Sequence, residues 1–144
     1  MNEDEVLQIL KEHPSAFVSG EKISRQLGLT RATIWKRIRN LRAFGYVIEA
    51  STHSGYRLTQ TPDRLLPAEI KPLLRTRWMG KQIHYFNTIG STNSTAYQLA
   101  LGGAKEGEVV IAETQEEGRG RLGRQWVSPP FLNLYLSIIL RPNL

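Results

Sequence analysis

Apolar residues recur at helical spacing in three short stretches at the start of the chain. The first stretch predicts a helix from Asn2 to His13. Ser19 is placed to cap a second helix, which ends at Gly28 because glycine adopts the left-handed backbone conformation at little cost. Thr30 follows as the cap of a third helix. Two short helices joined by a glycine-containing turn predict a helix-turn-helix.

The third helix divides into a buried stripe and a basic face. Ile34, Ile38 and Leu41 recur at i, i+4 and i+7 and define the stripe. We expect Trp35, on one flank, to pack against a neighbouring helix. The opposite side and the flanks are basic or small and polar, as a helix that reads base edges and reaches phosphates requires. The residues that we predict to contact DNA are Arg31, Ala32, Thr33, Lys36, Arg37 and Asn40.

Two β-rich runs follow the three helices. Residues 46–48 and 56–58 are joined through residues 52–55, which predicts a hairpin. Three helices and a hairpin make a winged helix, and we expect His53 and Arg57 near the hairpin tip to lie beside the backbone of bound DNA. A histidine at such a position is more often simply an exposed loop residue, and this is the favoured interpretation of His53. Winged helices also serve as protein-docking modules, and that alternative stays open here.

The pattern changes in the second half of the chain. A proline-containing stretch predicts a linker with a short helix, and a strand begins near Ile83. A helix capped by Ser91 or Thr92 follows, and two apolar runs, residues 109–112 and 134–140, predict buried strands. The fold class is therefore α+β, a winged helix-turn-helix followed by the start of a mixed α/β domain. The predicted segments are a DNA-binding domain at 1–60, a linker with a short helix at 61–82, and an α/β domain at 83–144.

Charge and composition narrow the classes of function. The chain has 19 Lys and Arg against 13 Asp and Glu, and seven of the cations fall within residues 22–42, which contain no acidic residue. Such a basic run is typical of a surface that binds a polyanion, although a solvated helix face has the same composition. The absence of cysteine excludes disulfides and thiolate metal sites, and we expect no metal site. With neither a membrane span nor a secretory signal in the sequence, we expect a soluble, cytoplasmic protein.

A glycine- and arginine-rich loop between the two apolar strands holds the candidate ligand chemistry. The segment 118–124 reads GRGRLGR, and its arginine side chains offer the forked donors that suit carboxylate and phosphate groups. The spacing fits neither a P-loop nor a dinucleotide-binding fingerprint. A mobile, solvated loop is the alternative. Upstream, Ser91, Thr92 and Asn93 form a turn that can hold polar ligand atoms, or that merely caps the helix.

Three motifs together resemble the bacterial biotin–protein ligases. They are GSTN, then AETQEEGRGRLGRQWVSP, then NLYLSIILRP. The winged helix at the start makes the chain similar to the bifunctional subclass that also represses the biotin operon. The resemblance covers essentially the whole chain, and the arginine loop is its most specific part.

The resemblance implies a reaction in two steps. Biotin and ATP, with Mg²⁺ accompanying the nucleotide, form biotinoyl-5′-adenylate, and a lysine of a biotin carboxyl carrier protein then attacks it. It also implies operator DNA as a partner and a homodimer as a further expectation. Arg119 and Arg121 are implied as catalytic residues, and Trp126 as a structural residue that closes the loop. The residues implied in biotin binding are Ser91, Thr92, Asn93, Gln115, Gly118, Arg119, Gly120 and Arg121.

One departure from the family pattern affects these expectations. Family members continue past the first strands of the catalytic sheet, to a ligand-contacting lysine and a small β-barrel, whereas this sequence stops at Leu144. We therefore expect a fragment of a longer protein that is inactive alone. Two alternatives remain: a ligand-responsive repressor without catalysis, and a DNA-binding fragment with a vestigial second half.

Overall fold

The computed structural model describes residues 3–142 and divides into two compact units, residues 1–62 and 63–144. Asn2, the predicted start of the first helix, lies outside the described residues. Within residues 3–142, no helix is long and apolar enough to cross a lipid bilayer.

The first unit contains three helices and a hairpin, as predicted. Its elements are α1 (Glu3–Lys11), α2 (Gly20–Leu27), α3 (Arg31–Ala43), β1 (Val47–Ser51) and β2 (Gly55–Gln60). The two strands pair antiparallel, with Ala50 opposite Tyr56. The first helix, the loop after it, α2, α3 and β1 all contribute buried apolar side chains, including Leu7, Val18 and Ile23. The winged helix-turn-helix is therefore closed over its own apolar core.

The predicted helix caps are confirmed in this unit. The Ser19 hydroxyl accepts from the Lys22 N–H, and the Thr30 hydroxyl accepts from the Thr33 N–H. Gly28, with φ of 65°, ends α2 in the left-handed conformation. These caps fix where α2 ends and α3 begins, and so set the turn between the two helices.

The second unit is built on a three-stranded mixed sheet. Its elements are α4 (Pro67–Ile70), a 3-10 turn (Lys71–Leu73), β3 (Ile83–Ile89), α5 (Thr92–Leu101), β4 (Val109–Gln115), a second 3-10 turn (Arg121–Gly123) and β5 (Tyr135–Ile138). The strand order is β3-β4-β5, in which β3 runs parallel and β5 antiparallel to the central β4. One apolar cluster joins Ala96 of α5 to Val110 and Ile139. The helix thus covers one face of the sheet.

The segment that the sequence suggested as a linker packs onto this sheet. Leu65, Ile70, Leu74 and Met79 lie against a second apolar cluster, formed by β3 and β4. The boundary between the compact units falls between Pro62 and Asp63. Most of the predicted linker, residues 61–82, is therefore part of the second unit.

The last strand differs from its prediction. Residues 134–140 were expected to form a wholly buried strand, but only Tyr135 and Ile139 are buried, and Leu134 and Leu140 are exposed. The residues alternate because successive side chains of a strand point to opposite faces of the sheet, and α5 covers the face that includes Ile139.

Candidate functional site

The predicted buried stripe of α3 is confirmed, and it fixes which side chains face solvent. Ile34, Ile38 and Leu41 are each at most 2% exposed. Arg31 and Lys36 are exposed on the rest of the helix surface. Ala32 is exposed as well, whereas Thr33 and Asn40 are half-buried. The first turns of α3 therefore present small and basic side chains.

Arg37 does not belong to this exposed surface, and its prediction as a flank residue available to DNA is wrong. Its side chain is buried, and its Nη1 lies 3.0 Å from Oε2 of Glu5 on α1. Helical angle alone placed Arg37 on a flank, but α1 packs over that flank and supplies a carboxylate. Arg37 joins two helices instead of facing a partner.

Trp35 was expected to pack against a neighbouring helix, and this expectation is also wrong. The side chain is 54% exposed, and the guanidinium carbon of Arg39 lies 5.0 Å from the centroid of the indole ring. This cation–π contact joins two residues one helical turn apart. The pair adds a basic and aromatic flank to α3.

The hairpin tip lies next to the start of α3. A shallow cleft of about 440 Å³ lies among the residues that begin α2 and α3 and the hairpin, and Arg31 and His53 both line it. Arg57 makes contacts inside the unit: it lies 2.5 Å from the Glu49 carboxylate and stacks over the ring of Phe17. Arg31 and His53, rather than Arg57, are therefore the basic side chains at this surface.

The second unit has a cleft beside the start of α5. Its volume is about 440 Å³, which lies within the range of small-molecule sites. Five of the residues predicted to bind biotin line it together: Ser91, Thr92, Asn93, Gln115 and Arg119. Gly118, Gly120 and Arg121 are not among its lining residues. The fold thus brings the helix-capping turn and the beginning of the arginine loop, 26 residues apart in sequence, to one site.

The turn at the start of α5 is held by its own cap. The hydroxyl of Ser91 accepts from the Ser94 N–H at 3.4 Å, so the capping interpretation of this serine is confirmed. Ser91 and Thr92 are buried, whereas Asn93 is exposed. Capping does not exclude ligand contact, because the exposed Asn93 in the same turn also lines the cleft.

Gln115 links this turn to the strand that leads into the loop. Its Oε1 accepts from the backbone N–H of Thr92 at 2.8 Å and from the Thr92 hydroxyl at 3.0 Å. Its Nε2 donates to Oγ of Ser128 at 3.2 Å. The Ser137 hydroxyl on β5 donates to the Thr92 hydroxyl at 3.0 Å. Hydrogen bonds therefore tie α5, β4, β5 and the segment after the loop into one polar network beneath the cleft.

The arginine loop is closed at its base and exposed at its tip. The Trp126 N–H donates to the Gly118 carbonyl at 2.8 Å, and the Gly120 N–H donates to the Arg124 carbonyl at 2.7 Å. Arg121 lies in the exposed 3-10 turn at the tip. Trp126 lines the cleft with its side chain 56% exposed, so the tryptophan contributes to the site as well as to the loop.

Gly118 sits where no side chain fits. A Cβ placed on it would lie 2.8 Å from the carbonyl oxygen of Trp126 and 3.2 Å from Oγ of Ser128. The obstacle is mostly backbone, so it moves only if the base of the loop opens. The glycine is required for close approach of two chain segments.

Sequence reasoning missed much of the far wall of the cleft. This wall consists of Val127, Asn133, Leu134, Tyr135 and Leu136. Tyr135 anchors it, because its hydroxyl donates to the Pro129 carbonyl and accepts from the Asn133 amide, each at 3.0 Å. An asparagine and a tyrosine at the start of an otherwise apolar run were the available signal for these residues.

A buried carboxylate two residues before Gln115 was also not predicted. Glu113 is 2% exposed and accepts from the Leu65 N–H and from the Tyr85 hydroxyl, each at 3.0 Å. Burial and this hydrogen bond raise the pKa of Tyr85 from 10.0 to about 12. At neutral pH Tyr85 is therefore a hydroxyl donor that holds β3 to β4.

Each of the two units matches a known protein family. A family described as "HTH domain" matches residues 2–57, and the "Biotin/lipoate A/B protein ligase family" matches residues 85–144. The chain is 41% identical over 140 residues to the bifunctional ligase/repressor BirA of Bacillus spizizenii, covering 97% of this chain and 43% of the relative. It is 41% identical over 126 residues to the same-named protein of Escherichia coli, covering 87% and 37%.

A third relative carries the ligase name alone. The chain is 36% identical over 85 residues to the biotin–[acetyl-CoA-carboxylase] ligase of Mycobacterium tuberculosis, covering 55% of this chain and 32% of the relative. The chain spans less than half the length of each of these relatives. The predicted order, a helix-turn-helix domain followed by a ligase-type domain, is confirmed. The chain is thus similar, over nearly its whole length, to proteins named as bifunctional ligase/repressors, and residues 85–144 match the biotin/lipoate A/B protein ligase family.

Proposed function

We propose that this chain carries the DNA-binding domain and part of the ligand site of a biotin–protein ligase that also represses transcription of the biotin operon. One observation supports the ligase function above all. The Ser91–Asn93 turn, Gln115 and Arg119, three separate parts of the family motifs, line one cleft of small-molecule size.

In the first step, an oxygen of the biotin carboxylate attacks the α-phosphorus of ATP and pyrophosphate leaves. The product is biotinoyl-5′-adenylate. In the second step, a neutral lysine amine of the carrier protein attacks the acyl carbon, AMP leaves, and the lysine loses a proton as the amide forms. Both first-step reactants are anions, so a site must offset their repulsion and hold them in line.

The residues of the cleft suit these tasks. Biotin's polar ring groups would meet the polar turn at Thr92 and Asn93, beside the Gln115 amide. Arg119, at the mouth of the loop, would provide a forked donor for the carboxylate or the α-phosphate. Arg121 lies outside the cleft lining, so the proposal requires the loop tip to close over the bound ligand, which would also shield the mixed anhydride from water.

Mg²⁺ enters this scheme as part of the MgATP substrate. Among the residues that the structure describes, no group of three or more His, Asp or Glu is arranged to hold a metal ion. In this proposal the cation reaches the site on the phosphate oxygens of the nucleotide.

The ligase proposal is tested by transfer of labelled biotin to a biotin carboxyl carrier protein in the presence of MgATP, using the longest protein that contains this sequence. We expect Arg119→Ala and Arg121→Ala to slow transfer at least ten-fold, since each removes a charge-assisted contact. Arg75→Ala, which removes an exposed cation of the same unit away from the cleft, is the matched control. Binding of biotin without any transfer would instead favour the non-catalytic, ligand-responsive repressor.

The repressor half of the proposal rests on α3. Arg31, Ala32 and Lys36 are exposed at the start and middle of the helix, beside the hairpin, and Thr33 and Asn40 reach the surface in part. Lys36→Ala is expected to weaken operator binding and to reduce the slope of log affinity against log salt by about one unit, without changing biotin affinity. Unchanged operator affinity in both Lys36→Ala and Arg31→Ala would reject α3 as the reading helix.

Two further expectations follow from the family. ATP, the carrier protein and operator DNA would all be met in the cytoplasm, where we propose that the protein acts. A homodimer stays a prediction, which sedimentation in the presence and absence of biotin and MgATP would test.

A further inference from the structure

A buried hydroxyl lies where the base of the arginine loop meets the floor of the cleft. Ser128 is 7% exposed, and its Oγ accepts from Nε2 of Gln115 at 3.2 Å. The same hydroxyl points to the Trp126 carbonyl oxygen at 3.5 Å, and Trp126 closes the loop on Gly118. The backbone carbonyl of Ser128 is held separately by the Thr114 hydroxyl at 2.5 Å. Ser128 is thus fixed in place and touches both the loop and Gln115.

The hydrogen bonds of the Gln115 amide allow only one orientation. Its Oε1 accepts two hydrogen bonds from Thr92, which uses both lone pairs of an amide oxygen. Turning the amide over would place its NH₂ group against the Thr92 N–H, donor against donor. Ser128 supplies the acceptor at the other end of the amide. One Nε2 hydrogen then remains for an acceptor atom of a ligand.

We infer that Ser128 is a positioning residue, which holds the Gln115 amide in the orientation that the ligand site needs and couples it to the base of the arginine loop. The inference rests on the proposed function, since the ligand is taken to be biotin or its adenylate. Ser128 does not line the cleft, so it acts on a ligand through the lining residues that it contacts, Gln115 and Trp126, and the inference assigns its effect to Gln115.

A double-mutant cycle tests this route. We expect Ser128→Ala to weaken biotin binding by about three- to ten-fold, the loss of one buried hydrogen bond. In a Gln115→Ala background the same substitution should have almost no further effect, because the side chain through which it acts is gone. An equal loss in both backgrounds would mean that Ser128 acts through the loop base or through general packing instead of through Gln115, and the inference would be rejected.

Thr114→Val is the matched control. It removes a hydroxyl that bonds to the carbonyl of the same serine, but it leaves the contact between Ser128 Oγ and Gln115 intact. We expect it to lower stability and to leave biotin affinity within about two-fold of wild type. If Ser128→Ala folds poorly, Ser128→Cys takes its place, because a thiol is nearly equal in size to a hydroxyl but is a weak acceptor. We expect its biotin affinity to lie below that of wild type.

Nuclear magnetic resonance of the Gln115 side-chain amide tests the positioning without any ligand. In wild type and in Thr114→Val, its two Nε2 protons should have distinct shifts, and one should exchange slowly with water. In Ser128→Ala or Ser128→Cys, exchange should quicken at least several-fold. Unchanged exchange in the Ser128 variants would overturn the inference. If wild type did not bind biotin, the proposed function would be overturned, but the exchange rates would still show whether Ser128 positions the Gln115 amide.

Discussion

Replacing Glu5 with alanine should destabilise the first unit more than replacing Arg37 with methionine, although the two side chains form one ion pair. The pair is asymmetric: the Arg37 side chain is 9% exposed and that of Glu5 is 57% exposed. Glu5→Ala leaves a buried guanidinium without its carboxylate. Arg37→Met leaves a half-exposed carboxylate that water solvates, and it fills the same space with an apolar chain.

The magnitudes follow from this asymmetry. Breaking a buried pair by removing one partner costs about 3–5 kcal/mol, whereas exposed pairs contribute about 0–1 kcal/mol. Since only Arg37 is buried, we expect Glu5→Ala to cost about 2 kcal/mol, between these two limits. Arg37→Met should cost less than about 1 kcal/mol, because apolar replacement of a buried ion is often neutral.

Native-state hydrogen exchange in peptides from α3 measures this difference within the first unit. A loss of about 2 kcal/mol raises the open fraction roughly 30-fold, which is well within the range of the method. Arg37→Met should also leave operator affinity and its salt slope unchanged, in contrast to Lys36→Ala. A larger loss for Arg37→Met than for Glu5→Ala, or a reduced salt slope in Arg37→Met, would refute the structural role assigned to this arginine.

Three further predictions concern the second unit. Gly118→Ser should cost about 1–3 kcal/mol in urea unfolding, because its Cβ would meet the Trp126 carbonyl, and unchanged stability would contradict the closed loop base. Tyr85→Phe should remove a phenolate absorbance step near pH 12, because the folded protein raises the pKa of Tyr85 to about 12. The stability that the Tyr85 hydroxyl contributes is fully present below its ordinary pKa of 10.0 and is lost as the pH rises through about 12. The hydrogen bond from His84 lowers the pKa of Glu108 below its ordinary value of 4.5. The stability that the Glu108 carboxylate contributes is therefore present above pH 4.5 and is lost as the pH falls through the lowered pKa. In Glu108→Gln, Tm should fall less steeply with decreasing pH in the acid range.

Local signals in the sequence predicted the elements well. The caps at Ser19, Thr30 and Ser91 were recognisable because a small polar side chain preceded each run of helical spacing. The buried stripe of α3 followed from spacing alone. Periodicity and capping are properties of neighbours in the chain, which a sequence displays directly.

Contacts between distant segments were not predictable in the same way. Arg37 looked exposed because nothing local indicates that α1 would cover it with Glu5. Residues 61–82 looked like a linker because one proline precedes the short helix and another begins it, yet their apolar side chains pack against a face of the sheet. For the cleft, the sequence assigned ligand contacts to residues on one wall. Ser128 becomes significant only through its contact with Gln115, and Tyr135 only through the hydrogen bonds that anchor the far wall.

The contrast between the closed base and the exposed tip of the arginine loop has a practical consequence for protein engineering. Leu122 at the tip is 93% exposed, while β4 and β5 hold the two arms of the loop in one sheet. A chain opened or extended at Leu122 would therefore keep both arms attached to the folded unit, as in permissive sites for domain insertion. A small fluorescent reporter inserted there would sit on the segment that, under the proposed function, closes over the ligand, and its signal would report whether biotin moves the loop.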